Sequence, residues 1–139
     1  MEVRFYNSVS DNRLRYAVIV SRSNGKWVFC KHRDRKTLEV PGGRREVNEA
    51  ISETAARELR EETGAVAFSL FPVCVYSVIG DDGTESFGML YFAEIFEFSS
   101  DLQYEIEQIC LLDGMPQAWT YPQIQPRLIE EVIQRRFII

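Results

Sequence analysis

A run of helix-forming residues bounded by glycines constrains the fold of this chain more than any other feature. The segment "GGRREVNEAISETAARELREETGA" occupies residues 42–65. Residues 49–63 predict a helix, with Asn48 as its N-cap and Gly64 as the residue that ends it. Segments with the composition of β-strands lie on both sides. A helix placed between strands predicts an α/β fold with a mixed sheet and helices on its faces.

The strand-like segments are short and separated by turn residues. Five are rich in β-branched and aromatic residues: 16–21, 26–32, 73–79, 89–98 and 108–112. Asn24 and Gly25 separate the first two, and this dipeptide favours a tight hairpin. The segment "TLEVPGG" at 37–43 predicts one further short strand that ends at Pro41, and apolar residues at helical spacing predict a second helix within 122–137.

Composition and charge exclude several classes of function. A chain of 139 residues predicts a single domain over 1–139. Its formal net charge is −5, and the short basic run at 31–36 is too small for binding a nucleic-acid polymer. Without a run of ~20 apolar residues, neither a membrane span nor a signal peptide is expected. The three cysteines, Cys30, Cys74 and Cys110, follow no CxxC spacing, so we expect free thiols and a cytoplasmic protein rather than a thiolate metal site.

Three glutamates converge near the end of the predicted helix. Glu58 and Glu62 are four residues apart, and Glu61 is three residues from Glu58, so the carboxylates share one face. Like charges at this spacing cost roughly 0.2–0.5 kcal/mol per pair on an exposed helix. A divalent cation offsets that repulsion, and oxygen-rich clusters are what Mg²⁺ and Mn²⁺ select. The alternative is a solvated helix face on which neighbouring arginines soften the repulsion.

The glutamates belong to a longer pattern that resembles the Nudix box, Gly-x5-Glu-x7-Arg-Glu-U-x-Glu-Glu-x-Gly-U, where U is apolar. Gly43 lies six positions before Glu49, which lies eight before Arg57, and the rest of the pattern follows without a gap to Ala65. Every fixed position is matched. Ala65 is a small residue for the final apolar position, and "VN" replaces the Pro-Gly pair that often precedes the first glutamate. Neither departure changes a charged position.

The resemblance implies a Nudix-type α/β/α sandwich that hydrolyses a diphosphate linkage, with Mg²⁺ or Mn²⁺ as cofactor. Matched position by position, Glu58 and Glu62 are the principal metal ligands, and Glu61 is a third carboxylate. A backbone carbonyl of Gly43 or Gly42 completes the set in many relatives, and Gly42 is also assigned to substrate contact. The remaining matched pair, Glu49 and Arg57, is expected to support the site as an ion pair.

The general base stays open at this point, because relatives differ. Glu58 is one candidate, and Glu105, just before the strand at 108–112, is another; its alternative is an exposed loop carboxylate. Arg33 falls where relatives that remove damaged nucleotides place a substrate-binding arginine, although solvation of a basic hairpin end explains it equally well. His32, on the opposite face of its strand, is expected to be a packed or surface residue rather than a ligand. The strand aromatics Phe29, Phe87 and Tyr91 are candidates for stacking on a base, or for core packing.

Three functions compete. The first is hydrolysis of a nucleoside triphosphate, including an oxidised one, or of a nucleoside diphosphate joined to another group. The second is a non-catalytic nucleotide sensor, which is expected to lack box glutamates, whereas all are present here. The third is an interaction module whose acidic helix is incidental. The expected partner is a small nucleotide, and homodimerisation stays open.

Overall fold

The computed structural model describes residues 1–102, 105–135 and 137. Its helices are α1 (Ile51–Thr63) and α2 (Gln125–Gln134), with a short 3-10 helix at Asp11–Arg13. The strands are β1 (Glu2–Tyr6), β2 (Leu14–Ser23), β3 (Lys26–His32), β4 (Gly42–Arg44), β5 (Ala65–Ile79), β6 (Glu85–Phe98) and β7 (Ile106–Leu112). They form a seven-stranded sheet in the order β1-β5-β6-β2-β3-β7, and β4 pairs with β2 beside this row.

The sheet is mixed, as predicted. β2 and β6 run parallel, and the other pairs are antiparallel. The hairpin between β2 and β3 turns at Asn24 and Gly25, whose φ angles are 51° and 76°. Two consecutive positive φ angles define the turn type that this dipeptide favours, so the predicted hairpin is confirmed.

Each face of the sheet is covered by one helix. Successive side chains of a strand point to opposite faces, so in β2 Ala17 and Ile19 pack toward α1, while Val20 packs toward α2. On one side Ala55 and Leu59 of α1 are fully buried in the first of these clusters. On the other side Leu128, Ile129 and Val132 of α2 belong to the second cluster. The predicted α/β/α sandwich is therefore confirmed.

The first helix begins later than predicted. Asn48 has a φ of 63°, which is incompatible with an N-cap that leads directly into a right-handed helix. α1 instead begins at Ile51, and the Glu53 side chain accepts a hydrogen bond from the Ala50 N–H at 2.9 Å. Glu49 thus lies in the loop before the helix, where its carboxylate is free to turn toward Arg57. The predicted end is correct: Gly64 adopts a left-handed conformation with a φ of 76°.

Several strand boundaries differ from the predictions. The segment 37–43 contributes only isolated bridges at Leu38 and Glu39 before β4 begins at Gly42. β5 starts directly after α1 at Ala65 rather than at residue 73, and β1 was not anticipated. The predicted second helix is present as α2; Arg136 of its predicted segment lies outside the described residues.

The three cysteines are free, with Cys30 and Cys74 buried and Cys110 partly buried. Among the residues that the structure describes, no helix is long and apolar enough to cross a membrane.

Candidate active site and metal centre

The packing of α1 sets the direction of its glutamates. Ala55 and Leu59 are completely buried against the sheet, which fixes the rotation of the helix about its axis. Glu58 and Glu62 consequently lie beside the Gly42–Gly43 corner at the start of β4. The Oε1 atom of Glu62 accepts a hydrogen bond from the Gly42 N–H at 2.7 Å. This bond ties the end of the helix to the glycine corner.

Gly43 has no room for a side chain. An added Cβ would lie 2.3 Å from Cδ of Glu58 and 2.4 Å from its Oε1. The Glu58 carboxylate therefore rests directly on the backbone of Gly43. Burial raises the pKa of Glu58, although hydrogen bonding to Arg57 opposes that shift. The glycine of the box is thus required because the helix carboxylate occupies the space of its missing side chain.

Arg57 connects the carboxylates of the helix to the preceding loop. Its Nε lies 2.7 Å from Oε2 of Glu49, and its Nη1 lies 2.7 Å from Oε1 of Glu58 and 3.3 Å from Oε2 of Glu61. Its Nη2 donates a hydrogen bond to the carbonyl oxygen of Arg44 at 3.0 Å. The hydrogen bond with Arg57 lowers the pKa of Glu49 to about 2. One guanidinium therefore orients the loop and holds two of the three helix carboxylates close together.

Glu62 is buried, yet it stands among other acidic groups. Burial raises its pKa to about 8, and the charges of Glu58, Glu39 and Glu61 add to that shift, while the Gly42 N–H opposes it. A carboxyl group in this position is protonated at neutral pH unless a cation compensates its charge. The donor set is made of oxygens, so it fits Mg²⁺ or Mn²⁺. Glu58, Glu61 and Glu62 are the side chains that would hold such an ion.

His32 lies beside the glutamates of this site, and the expectation that it is a packed or surface residue rather than a ligand stays a prediction. Its Nε2 atom is 3.0 Å from Oε2 of Glu62 and 3.4 Å from Oε2 of Glu39. That buried nitrogen makes no aligned hydrogen bond with any described residue. Strand alternation does place His32 opposite Phe29, which lies on the α2 side. His32 therefore lies on the α1 face of the sheet. Its position near the glutamates cannot be predicted without knowing which face α1 covers.

Glu105 is exposed in the turn before β7. Its carbonyl oxygen accepts the Arg33 N–H at 2.7 Å, and the next residue, Ile106, pairs with His32. Glu105 therefore directly precedes Ile106, the sheet partner of His32. Glu107 forms an ion pair with Lys31, which lowers the pKa of Glu107. Of the two glutamates, Glu107 is already engaged by a lysine.

A cavity of about 440 Å³ adjoins the glycine corner on the α2 side of the sheet. Tyr16, Tyr121 and Gln125 line it, together with Gly42 and Gly43. The Gln125 side chain is positioned by its Oε1 atom, which accepts the Val40 N–H at 2.9 Å.

Neither tyrosine of this cavity nor Gln125 was predicted, because no local pattern marks them. Arg33 is exposed and is not among the residues that line the cavity. The aromatic residues considered for base stacking are core residues instead: Phe29 is 0% exposed, and Phe87 and Tyr91 are 5% exposed.

Comparison with known proteins agrees with the geometry. The family model of the NUDIX domain matches residues 11–119. The Bacillus subtilis (strain 168) protein named "Putative 8-oxo-dGTP diphosphatase YtkD" is 37% identical over 86 residues, which are 62% of this chain. The match spans 53% of that protein, so the chain covers about half the length of this curated relative.

Solved structures share the whole fold. The Bacillus subtilis pyrophosphohydrolase BsRppH superposes with a TM-score of 0.80 at 25% identity, covering 99% of this chain and 93% of that one. A Nudix hydrolase from Nitrosomonas europaea gives a TM-score of 0.72 at 20% identity, covering 87% and 89% of the two chains. With a family match over most of its length and an intact glutamate pattern at the site, this chain belongs to the Nudix hydrolase family.

Proposed function

We propose that this protein hydrolyses the diphosphate linkage of a nucleoside triphosphate, or of a nucleoside diphosphate joined to another group, with the help of Mg²⁺ or Mn²⁺. The observation that carries this proposal is the placement of three helix carboxylates at the Gly42–Gly43 corner, beside a cavity large enough for a nucleoside. Phosphoryl chemistry of this kind needs charge neutralisation and an oriented water rather than a covalent nucleophile. The donor groups at the corner suit those needs.

In this proposal the residues of the site have different roles. A divalent cation held by Glu58, Glu61 and Glu62 would neutralise phosphate charge and make a nearby water more acidic. Arg57 keeps Glu58 and Glu61 in place through Nη1. The missing side chains of Gly42 and Gly43 leave room for the Ala17 carbonyl oxygen and for the Glu58 carboxylate, so the carboxylate is held close to the β4 backbone.

Two glutamates remain candidates for removing the proton of the attacking water. Glu105 lies on a different element from the helix carboxylates and is exposed, so its side chain can approach the site from another direction. Glu58 is held by Arg57 at 2.7 Å and rests on Gly43, which leaves it less able to move. We propose Glu105 as the base, with Glu58 as a metal ligand.

The cavity suits a nucleobase. Tyr16 and Tyr121 are 37% and 42% exposed, so their rings are accessible for stacking. Gln125 uses its oxygen on Val40, which leaves its amide nitrogen, a donor of two hydrogen bonds, as the group it can offer a ligand. A base with carbonyl acceptors, such as guanine or its oxidised form, matches that donor. The name of the relative YtkD, a putative 8-oxo-dGTP diphosphatase, supports the same class.

The intact box argues against a non-catalytic nucleotide sensor, which is expected to lack box glutamates. All the glutamates of the box are present and gathered at the corner. The free cysteines support a further part of the proposal, namely that the protein works in a reducing compartment such as the cytoplasm.

The deciding experiment measures turnover of a panel of nucleoside triphosphates, 8-oxo-dGTP and nucleoside diphosphate conjugates with and without Mg²⁺ or Mn²⁺. We expect cation-dependent release of a nucleoside monophosphate, with purine triphosphates turned over best. Glu62→Gln should lower kcat/KM by roughly 10²–10⁴, because it removes charge that a cation needs. The matched control is Glu97→Gln on the exposed end of β6, which should change little. Turnover that persists in Glu62→Gln, or that needs no cation, would refute the proposed site.

A further inference from the structure

A second donor set overlaps the carboxylate site. The Cys30 sulfur, the His32 imidazole and the Glu62 carboxylate each offer an atom within 4.8 Å of the other two. All three lie between the end of β3 and the end of α1. Sulfur and nitrogen are poor ligands for Mg²⁺ but preferred ligands for Zn²⁺. The set therefore has a different metal preference from the glutamates alone.

We propose that Cys30, His32 and Glu62 bind a thiophilic divalent cation such as Zn²⁺, and that this binding inhibits hydrolysis by taking Glu62 from the carboxylate site. The binding stands without the proposed function, whereas the inhibition rests on it. Cys30 was expected not to ligate metal because no CxxC spacing is present. The structure supplies its partners from another element instead.

The geometry is close to what Zn²⁺ requires. With bonds of ~2.0–2.3 Å, the ligand atoms of a tetrahedral site stand about 3.3–3.8 Å apart. Nε2 of His32 and Oε2 of Glu62 are already 3.0 Å apart. The Cys30 sulfur lies within 4.8 Å of one ligand atom of each of these two residues, so an approach of about 1 Å or less is needed. Rotation of the partly exposed His32 and of the Glu62 carboxylate can supply a movement of that size.

The unused nitrogen of His32 is an independent indication of a ligand. A buried imidazole nitrogen ordinarily has a hydrogen-bond partner. Here Nε2 points toward two carboxylates without an aligned hydrogen bond to any described residue. A cation placed between Nε2 and the carboxylates would give this nitrogen a partner.

Glu39 lies next to this set. Its Oε1 atom accepts a hydrogen bond from Arg35 at 2.9 Å, which leaves Oε2 facing His32 at 3.4 Å. At present the thiol of Cys30 donates a weak hydrogen bond to the Glu39 carbonyl oxygen. Metal binding replaces that bond: the thiol proton is released to solvent, and the thiolate binds the cation. One sulfur, one nitrogen and one carboxylate oxygen supply three ligands of a tetrahedral site, and a water molecule can take the fourth position.

The test begins with the metal-free full-length chain and Zn²⁺, in competition with a chromophoric chelator. We expect one tight site per chain, weakened at least about tenfold in Cys30→Ser and in His32→Gln. Cys74→Ser removes another buried thiol, on the α2 side, and should leave the affinity unchanged. Thermal unfolding of each variant checks that it is folded. Equal affinity in the wild type and Cys30→Ser would overturn the site, as would equal losses in Cys30→Ser and Cys74→Ser.

Cobalt provides a readout that needs no variant. Co²⁺ bound to the wild-type chain should show a thiolate-to-metal charge-transfer band and tetrahedral ligand-field bands. A spectrum typical of oxygen ligands alone would overturn the proposal.

Hydrolysis is then measured at fixed Mg²⁺ with increasing Zn²⁺. The wild type should be inhibited, and excess Mg²⁺ should relieve the inhibition. Cys30→Ser should keep its Mg²⁺-dependent rate and lose the inhibition. Tight Zn²⁺ binding without inhibition would overturn the competitive part. If the wild type shows no hydrolysis with any nucleotide, the proposed function fails, while the binding and cobalt measurements still decide the site.

Discussion

The two faces of the sheet bury different kinds of groups at the same corner. On the α1 face, acidic side chains from one helix crowd around Gly43, and their burial is unfavourable without a cation. On the α2 face, Tyr16, Tyr121 and Gln125 line a cavity, and the Gln125 side-chain oxygen accepts a hydrogen bond from the Val40 N–H. The first face is suited to charge and chemistry, and the second to recognition. Under the proposed function, one substrate contacts both faces at the Gly42–Gly43 corner.

The largest expected effect tests whether the α1 face is sufficient for chemistry. Glu105→Gln should lower kcat by roughly 10²–10⁴, the usual contribution of a general base. Glu107→Gln is the matched control two residues away and should change kcat little, because Glu107 is paired with Lys31. Affinity for Mg²⁺, followed by its effect on thermal unfolding, should be nearly unchanged in both. A large loss in Glu107→Gln alone would move the base by two residues. If neither variant loses activity, Glu58 becomes the base and the α1 face is complete by itself.

The next effect tests the close contact between the Glu58 carboxylate and Gly43, at the corner where the two faces meet. Gly43→Ala places a methyl group where the Glu58 carboxylate lies, so that carboxylate must move. We expect kcat/KM to fall about 10²–10³-fold, since a misplacement near 1 Å can cost a hundredfold. Gly114→Ala is the control, because nothing lies within 4 Å of a Cβ added there. Wild-type activity in Gly43→Ala would mean that the position of Glu58 is unimportant.

A third effect concerns the cost of burying charge on the α1 face. The pKa of Glu62 is raised from its ordinary 4.5 to about 8, so the folded metal-free chain binds this proton more tightly than the unfolded chain does. Its contribution is therefore fully present below about pH 4.5 and is lost as the pH rises toward 8.

The free energy of unfolding without metal should fall by about 2–4 kcal/mol across this window because of Glu62. Denaturant titrations at several pH values measure it. Glu62→Gln should remove most of this dependence, and Glu97→Gln should not. Added Mg²⁺ should flatten the wild-type curve, because the cation binds the ionised form. An identical pH dependence in the wild type and Glu62→Gln would show that the carboxyl is not buried as described.

The smallest effect belongs to the α2 face. Tyr121→Ala removes a ring from the cavity and should raise KM about tenfold with little change in kcat, since base stacking contributes about 1–3 kcal/mol. Gln125→Leu should reduce the preference between guanine and adenine nucleotides. The control is Phe71→Ala, which truncates an exposed side chain of β5 and should change neither quantity. If Tyr121→Ala lowers kcat rather than raising KM, the separation between recognition and chemistry is wrong.

The same contrast explains what the sequence could predict. Glu58, Glu61 and Glu62 are neighbours on one helix, so spacing alone brings them together. The hairpin at Asn24 and the helix end at Gly64 follow equally from local preferences. His32, by contrast, joins the site through the packing of α1 against β3.

The cavity is assembled from still more distant positions, which local patterns do not connect. Tyr16 lies on β2, Tyr121 in the loop before α2, and Gln125 at the start of α2. Asn48 was misassigned for a related reason. The attraction between Glu49 and Arg57 keeps the preceding loop out of the helix, and side-chain contacts of this kind override the capping preference.

The parallel pairing of β2 with β6 has a consequence for the order of folding. These strands are neighbours in the sheet although about 70 residues separate partners such as Ala17 and Met89. The loop-closure entropy of that pairing must be overcome before its contacts contribute, which makes it slow compared with helix formation or the β2–β3 hairpin. The glutamates can therefore share a helical turn early, while the glycine corner that orients them waits for β2 to be held in the sheet. During folding, the glutamates of α1 are therefore correctly spaced before the corner that would complete a cation site has formed.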